Sequence, residues 1–351
     1  MRQAAQWQAI QWCGHLRLLD QRCLPDQINY LELYSSDAVA DAIASMVVRG
    51  APAIGITAAY GVVLAAQQHA GLEIQAWLNA VHHAIHTLQA SRPTAVNLFW
   101  ALDQMHANIH RGRSVAENVQ QLTQAAQAIH THDVQINRRM AAFGADVIGQ
   151  VPAVLTHCNT GALATGGHGT ALGVIRTAYQ QQQIQQVYAD ETRPWLQGAR
   201  LTAWELAQDH IPVTLLCEGA VASLLQQGQV QWIIVGADRI AANGDTANKI
   251  GTFSLAVMAR HFGVRFMVVA PTSTLDLQTA KGQDIPVELR AGDEILSGPL
   301  AQQASVSIWN PAFDITPAEF IDVLVTEQGV VHQPNREKLM QLTPLPINKP
   351  G

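Results

Sequence analysis

The hydrophobic period of this chain changes near residue 150, and that change limits what it can fold into. From Asp37 to about Gln150 apolar residues recur at three- and four-residue spacing, the period of a helix with one buried face. Asp37 can cap a helix running through Val48, with Ala38, Ala42, Ile43, Met46 and Val47 near helical spacing. Pro52 opens the next helix, where its missing N–H costs nothing. Further helices are predicted over about 72–90, 94–110, 113–131 and 134–149, after a segment (6–34) with room for a few strands.

Beyond Pro152 the pattern becomes short apolar runs: Ala153–Thr156, Gln186–Ala189, Val213–Leu216, Trp232–Val235 and Phe266–Ala270. Helical stretches of about 170–183, 199–209, 219–227 and 247–262 separate them. Strands alternating with helices build a parallel sheet covered on both faces. The predicted fold class is α/β, with a mainly helical domain over 1–150, opening on a short β-containing segment, and a parallel-sheet domain over 151–351.

Composition narrows the function classes. Only 14% of residues are charged, against ~25% in an average soluble domain, and 48% are hydrophobic, so the chain has a core to bury and is not disordered. The net charge of −6 offers no basic excess to displace counterions from nucleic acid. Cys13, Cys23, Cys158 and Cys217 are scattered and form no CxxC pair, which argues against a disulfide framework and a structural zinc site. The first 25 residues hold Arg2, Arg17, Asp20 and Arg22 and no unbroken apolar run, so no secretory signal is read there. The most apolar stretch, Ala51–Ala66, is short for a membrane span and contains Pro52, Gly55 and Gly61, so it reads as a buried helix. The expectation is a soluble cytoplasmic protein with reduced thiols.

In open α/β sheets ligands bind beyond the carboxyl ends of the strands, so the candidate chemistry is sought there. Thr156-His157-Cys158-Asn159 closes the first strand and leads into a Gly/Thr-rich loop, Thr160 to Thr170, that can cradle phosphate with backbone N–H groups. It is neither a Walker A motif nor GxGxxG. Cys158 there is either an inert thiol or a functional one. Asp238 leaves the fourth strand through Gly236-Ala237. Desolvation can make it a proton donor near neutral pH, or it can pair with Arg239 or cap a turn. Asn248 and Lys249 fall in the first turn of the next predicted helix, where a lysine makes sense if an anion also sits at that helix N-terminus. Arg49-Gly50-Ala51-Pro52 sets an arginine before a helix start, a ready anion cradle, and Arg92-Pro93-Thr94 repeats the arrangement. The run Asp190-Glu191-Thr192-Arg193 suits either polyhydroxyl recognition or a salt-bridge cluster. His82 and His86 fit a metal pair or, more simply, a polar helix face.

Taken together, RGAPAIG (Arg49–Gly55), RPTAVNLFWALD (Arg92–Asp103), THCNTGALAT (Thr156–Thr165), GHGTALGVIR (Gly167–Arg176), ETRPWLQGARLTAWEL (Glu191–Leu206), GADRIAANGDTANKIGT (Gly236–Thr252) and NPAFDITPAEFI (Asn310–Ile321) resemble the methylthioribose-1-phosphate isomerase family, in order and over nearly the whole chain. The resemblance implies conversion of 5-methylthioribose 1-phosphate to its ketose in methionine salvage. It also implies a homodimer, and a helical domain joined to a Rossmann-like domain. Cys158 and Asp238 stand where the family has its catalytic pair, Asp238 as proton donor and Cys158 as transition-state partner or base. Arg49, Gly50, Ala51, Arg92, Gln197, Asn248 and Lys249 fall on its substrate-binding positions. The partner implied is a small sugar phosphate, with no nucleic acid and no membrane.

The substrate so implied is an aldose phosphorylated on its anomeric oxygen, with no free aldehyde. Its ring oxygen must be protonated to open the furanose, which suits a neutral acid at Asp238. Hydrogen must then move from C2 to C1, by base abstraction or by direct hydride shift, and neither route requires a metal or organic cofactor. Two alternatives share the resemblance. One is an isomerase of ribose 1,5-bisphosphate or 5-deoxyribose 1-phosphate. The other is a non-enzymatic subunit of the initiation-factor nucleotide-exchange complex.

Overall fold

The computed structural model describes residues 7–92, 96–296 and 306–342. They form two compact units: 7–92, 96–137 and Gly161–Gly169 in the first; 138–160, 170–296 and 306–342 in the second. The sequence boundary at 150 follows the end of a long helix, whereas the units divide inside that helix and the Gly-rich loop belongs to the first.

The first unit opens with an antiparallel sheet, β1 (Ile10–Trp12), β2 (Leu16–Leu19) and β3 (Tyr30–Leu33), in that spatial order. Helices α1 (Ser36–Ala44), α2 (Ala51–Gln68), α3 (Ile74–Ser91) and α4 (Val96–Ala107) follow, and α5 (Val115–Ile148) starts here. Ser35, not Asp37, caps α1, its Oγ accepting the Ala38 N–H at 3.2 Å. The helix stops well before Val48, because Met46 turns left-handed (φ 62°) and the Val47 N–H folds back onto the Ala42 carbonyl. Helix α2 is buried on all sides from Ala53 to Ala66, as an evenly apolar helix must be. Among the described residues no helix is long and apolar enough to cross a membrane. The two helices predicted over 113–131 and 134–149 are one helix of 34 residues, since Thr131-His132-Asp133-Val134 contains no Gly or Pro to interrupt its hydrogen bonds.

The second unit is built on a seven-stranded sheet. Its strands are β4 (Ala153–Thr156), β5 (Gln186–Asp190), β6 (Val213–Leu216), β7 (Val230–Val235), β10 (Arg265–Val269), β13 (Val323–Thr326) and β14 (Gly329–His332), in the order β14-β13-β10-β7-β4-β5-β6. All neighbours are parallel except β13 and β14. The five predicted strands match β4, β5, β6, β7 and β10 to within two residues at each end. A second sheet, β11-β8-β9-β12, joins β8 (Arg239–Ala241), β9 (Thr246–Lys249), β11 (Leu275–Asp276) and β12 (Phe313–Thr316). The sequence reading missed it, because strands of two to four residues are too short to display alternation. Helices α6 (Ala171–Gln180), α7 (Ala203–Gln208), α8 (Val221–Gln226), α9 (Thr252–Phe262) and α10 (Arg336–Leu339) complete the unit.

Alternate strand residues face opposite cores. Val154, Trp232, Ile234, Met267, Val269 and Val323 pack with α6 and the end of α5. Leu155, Ile233, Val235, Phe266, Val268 and Leu324 pack with α8 and α9. From β4 the chain proceeds outward to β5 and β6, then returns to the other side of β4 as β7 and continues to β10 and β13. The crevice beyond the carboxyl ends of β4 and β7 is thus the topological switch point, where open α/β sheets bind their ligands.

Candidate active site

Both candidate catalytic residues follow the strands of that switch point. Thr156 ends β4 and donates its hydroxyl to the Ile234 carbonyl of β7 at 2.9 Å, and His157, Cys158 and Asn159 come next. Asp238 lies three residues past β7, at the turn into β8, where its N–H donates to the Ala247 carbonyl at 2.9 Å. The neighbouring Arg239 pairs with Asp276 at 3.5 Å.

Cys158 is a half-buried, unbridged thiol on a left-handed backbone (φ 61°), a conformation that non-glycine residues hold only when their surroundings impose it. The imposing groups are hydroxyls. The Cys158 N–H donates to Thr192 Oγ1 at 2.8 Å, and Thr202 Oγ1 donates to the Cys158 carbonyl at 2.5 Å. Asn159 donates to Thr202 Oγ1 and to Glu205 Oε1, and the other Glu205 oxygen takes Arg176 Nη2 at 2.6 Å. Thr202 closes a single π-helical turn, Gly198–Thr202, that begins just after the buried Gln197. A β-carbon on Gly198 would lie 1.7 Å from the Asp190 carbonyl, so only glycine brings Gln197 this close to the end of β5.

Beneath Cys158 sits a buried ionic cluster. His157 Nδ1 lies 2.8 Å from both Asp190 oxygens, and Nε2 lies 2.9 Å from the Ile250 carbonyl. Both ring nitrogens therefore face acceptors, and only the imidazolium supplies two donors. Burial alone would lower its pKa, but Asp190, Glu218 and the Ile250 carbonyl outweigh that and hold it raised. The donor atoms of His157, Asp190 and Glu218 converge within 4.8 Å. The imidazole is held in this cluster by hydrogen bonds at both ring nitrogens, one to Asp190 and one to the Ile250 carbonyl. In the Asp190–Arg193 run, read as polyhydroxyl recognition or as a salt-bridge cluster, Asp190 forms a buried ion pair with His157 and Thr192 is buried beside it.

Asn248 and Lys249 are not in a helix. They end strand β9, and α9 starts only at Thr252. Both are buried. Asn248 Nδ2 donates to Thr252 Oγ1 at 3.0 Å, while Lys249 Nζ donates to the Ala312 carbonyl at 2.9 Å and stands 4.9 Å from the centre of the Phe313 ring. At this helix N-terminus the Asp314 carboxyl group accepts the N–H groups of Gly251 and Phe253 at 2.8 and 3.1 Å.

In the first unit, Arg49 and Arg92 are both half-buried. Arg49 reaches Met46 Sδ at 3.5 Å, and Arg92 terminates α3. Pro93 and Thr94, which carry the repeat of that arrangement, lie outside the described residues. Gly50 has φ 93°, and the Ala53 N–H of the first turn of α2 is already taken by the Ala164 carbonyl at 3.1 Å, which narrows the cradle read from sequence. The Gly-rich loop is held within this unit. Gln21 donates to the Leu163 carbonyl at 2.7 Å, His130 Nε2 meets the Gly166 carbonyl at 2.8 Å, and Asp133 Oδ2 accepts the Gly166 N–H at 2.7 Å. Burial lowers the His130 pKa, so its ring is neutral, donating through Nε2 and accepting the Tyr60 hydroxyl at Nδ1. The His82 ring lies against that of His106, and His86 Nδ1 meets Gln89 Oε1 at 3.2 Å.

Residues 47–333 match the model of the initiation factor 2 subunit family. A protein of Thioalkalivibrio sulfidiphilus named methylthioribose-1-phosphate isomerase is 60% identical, the match covering 95% of this chain and 96% of that one. The chain belongs to the methylthioribose-1-phosphate isomerase family, a family of enzymes. A second relative of that name, from Pseudomonas fluorescens, is 55% identical over 95% of each chain. Among solved structures, the 5-methylthioribose 1-phosphate isomerase of Pyrococcus horikoshii superposes with a TM-score of 0.91 at 39% identity, covering 97% of this chain and 99% of its own. A protein of A. fulgidus titled translation initiation factor eIF-2B, subunit delta, gives 0.86 at 38% identity, covering 95% and 99%.

Thr202 and Asp314 escaped the sequence reading as site residues, and His157 and Thr192 entered it only as members of runs, without individual roles. The one signal for them was a histidine wedged between an apolar strand and the candidate cysteine.

Proposed function

We propose that this chain is an aldose–ketose isomerase converting 5-methylthioribose 1-phosphate to 5-methylthioribulose 1-phosphate in methionine salvage, acting as a cytoplasmic homodimer. Asp238 protonates the ring oxygen to open the furanose. Cys158 serves the transfer of hydrogen from C2 to C1, either as the base that takes the C2 proton or as the polarisable wall beside a direct hydride shift. Arg49, Gly50, Ala51 and Arg92, with Gln197, Asn248 and Lys249, bind the phosphate and the sugar hydroxyls. They fix C1 and C2 in a reactive geometry.

The observation that carries this reading is that Cys158 and Asp238 follow adjacent parallel strands, β4 and β7, at the switch point of the sheet. The names of the relatives at 60% and 55% identity support this choice of substrate.

Purified protein is expected to form the ketose from 5-methylthioribose 1-phosphate, faster than from ribose 1,5-bisphosphate or 5-deoxyribose 1-phosphate. No turnover at high enzyme concentration would remove the activity, and a faster rate on either alternative would reassign the substrate. Asp238→Asn is expected to lose turnover while retaining phosphate binding. Near-normal rates would take Asp238 out of the mechanism.

A further inference from the structure

We propose that His157 and Asp190 are positioning residues for Cys158, acting on it through Thr192. The inference rests on the role given to Cys158 above. Its geometry is a directed chain of hydrogen bonds. His157, with both ring nitrogens on acceptors, donates to Asp190 at 2.8 Å. The Thr192 hydroxyl donates to Asp190 Oδ1 at 2.6 Å. Its proton being so committed, Thr192 Oγ1 has only lone pairs left for the Cys158 N–H, which it meets at 2.8 Å. His157, Asp190 and Thr192 are all fully buried, so no water competes for any of these links.

The chain has something to hold. Cys158 (φ 61°) and Thr192 (φ 60°) both occupy the left-handed region, which for a β-branched threonine is a true outlier. Two such residues hydrogen-bonded to each other stay in place only because the surroundings over-determine them. With the Thr202 hydroxyl on its carbonyl, the Cys158 backbone is fixed at both ends and the thiol keeps only rotation about χ1. Asp190 is locked in turn by His157, by Thr192 and by the α-carbon of Gly198 pressed against its carbonyl. A buried cation on the residue immediately before Cys158 thus orients a carboxylate, which orients a hydroxyl, which orients the peptide that carries the thiol. A shift of about 1 Å at a reacting group is enough to cost roughly a hundredfold in rate.

Four variants test this with 5-methylthioribose 1-phosphate turnover as readout. Thr192→Val keeps the shape and removes both hydroxyl bonds. It is expected to lower kcat ten- to a hundredfold with KM within threefold of the wild type, and to speed amide hydrogen exchange at Cys158 at least tenfold. Thr192→Ser restores the hydroxyl and is expected to recover kcat to within threefold of the wild type, a rescue that general destabilisation would not produce. Asp190→Asn, which cannot accept from His157 and Thr192 with equal strength, is expected to repeat the kcat loss and carries the test if Thr192→Val does not fold. Wild-type kcat in Thr192→Val or Asp190→Asn, alongside an inactive Cys158→Ala, overturns the positioning role and leaves the role of Cys158 standing. Wild-type kcat in Cys158→Ala overturns the role of Cys158 itself, and this inference with it.

Discussion

The α-carbon of Gly50 is packed directly against Ala164: a β-carbon at Gly50 would lie 2.4 Å from the Ala164 carbonyl oxygen and 2.5 Å from its β-carbon. That carbonyl also accepts the Ala53 N–H, so the start of α2 and the Gly-rich loop share a single contact point. Gly50→Ala therefore meets two penalties, a left-handed φ of 93° and a backbone clash. The expected loss is more than about 3 kcal/mol by urea denaturation. Gly14 is the control. It has φ 80° with nothing within 4 Å of its missing β-carbon, so Gly14→Ala should cost only the conformational part, about 1–2 kcal/mol. Equal losses at the two positions would mean that the Ala164 contact is not what requires Gly50.

Asp133 gives stability a defined pH dependence. Burial raises its pKa to about 7, against the lowering effect of the Gly166 N–H and Asn137. Its ordinary value is about 4, so between about pH 4 and 7 the folded protein keeps a proton that the unfolded chain has released. Its contribution is fully present below about pH 4 and is lost as pH rises to about 7. Asp133→Asn retains an acceptor for the Gly166 N–H and has no proton to lose. The difference in urea midpoint, variant minus wild type, is expected to grow from pH 4 to 7 and then level. A difference independent of pH would refute the assignment.

Arg176 is almost fully buried between Glu205 and Asp209, 2.6 Å from each, and these two carboxylates raise its pKa against the lowering effect of burial. Arg176→Ala leaves Glu205 charged in the interior and is expected to cost roughly 3–5 kcal/mol. Adding Glu205→Gln removes the stranded charge while keeping an oxygen for Asn159, and should recover a substantial part of that loss. A double variant no more stable than Arg176→Ala alone would show that packing, not charge, is what Arg176 supplies.

Asp314 caps α9 from a different strand, with burial raising its pKa against the lowering effect of the N–H groups of Gly251 and Phe253. Asp314→Ala is expected to destabilise by about 1–2 kcal/mol, and Asp314→Asn, which still accepts, by less. Thermal unfolding of the two variants distinguishes the cap from simple packing: equal losses would discard the cap.

Much of this architecture was readable before any coordinates. The strands β4, β7 and β10 are apolar runs largely buried on both faces, β5 and the edge strand β6 are short apolar runs less fully covered, and α2 is apolar all round, so hydrophobic pattern alone marks them. Cys158 and Asp238 stood out because each lies within three residues of the end of such a run. Asn248 and Lys249 were placed in a helix because the strand that carries them is four residues long and depends on pairing with β12, about sixty residues away. No local window contains that partner.

Chain order and apolar spacing by themselves dictated an α/β fold with helices first, and put Cys158 and Asp238 at strand ends. They could not reveal that His157 is doubly hydrogen-bonded, that Thr192 turns beneath Cys158, or that the Asp314 carboxyl group meets the start of α9. Those relationships join residues 33 to 93 positions apart. The local pattern reports which face of an element prefers to be dry. Which polar groups then meet inside is settled when the sheet closes, because only at that point does leaving one of them without a partner carry its full cost.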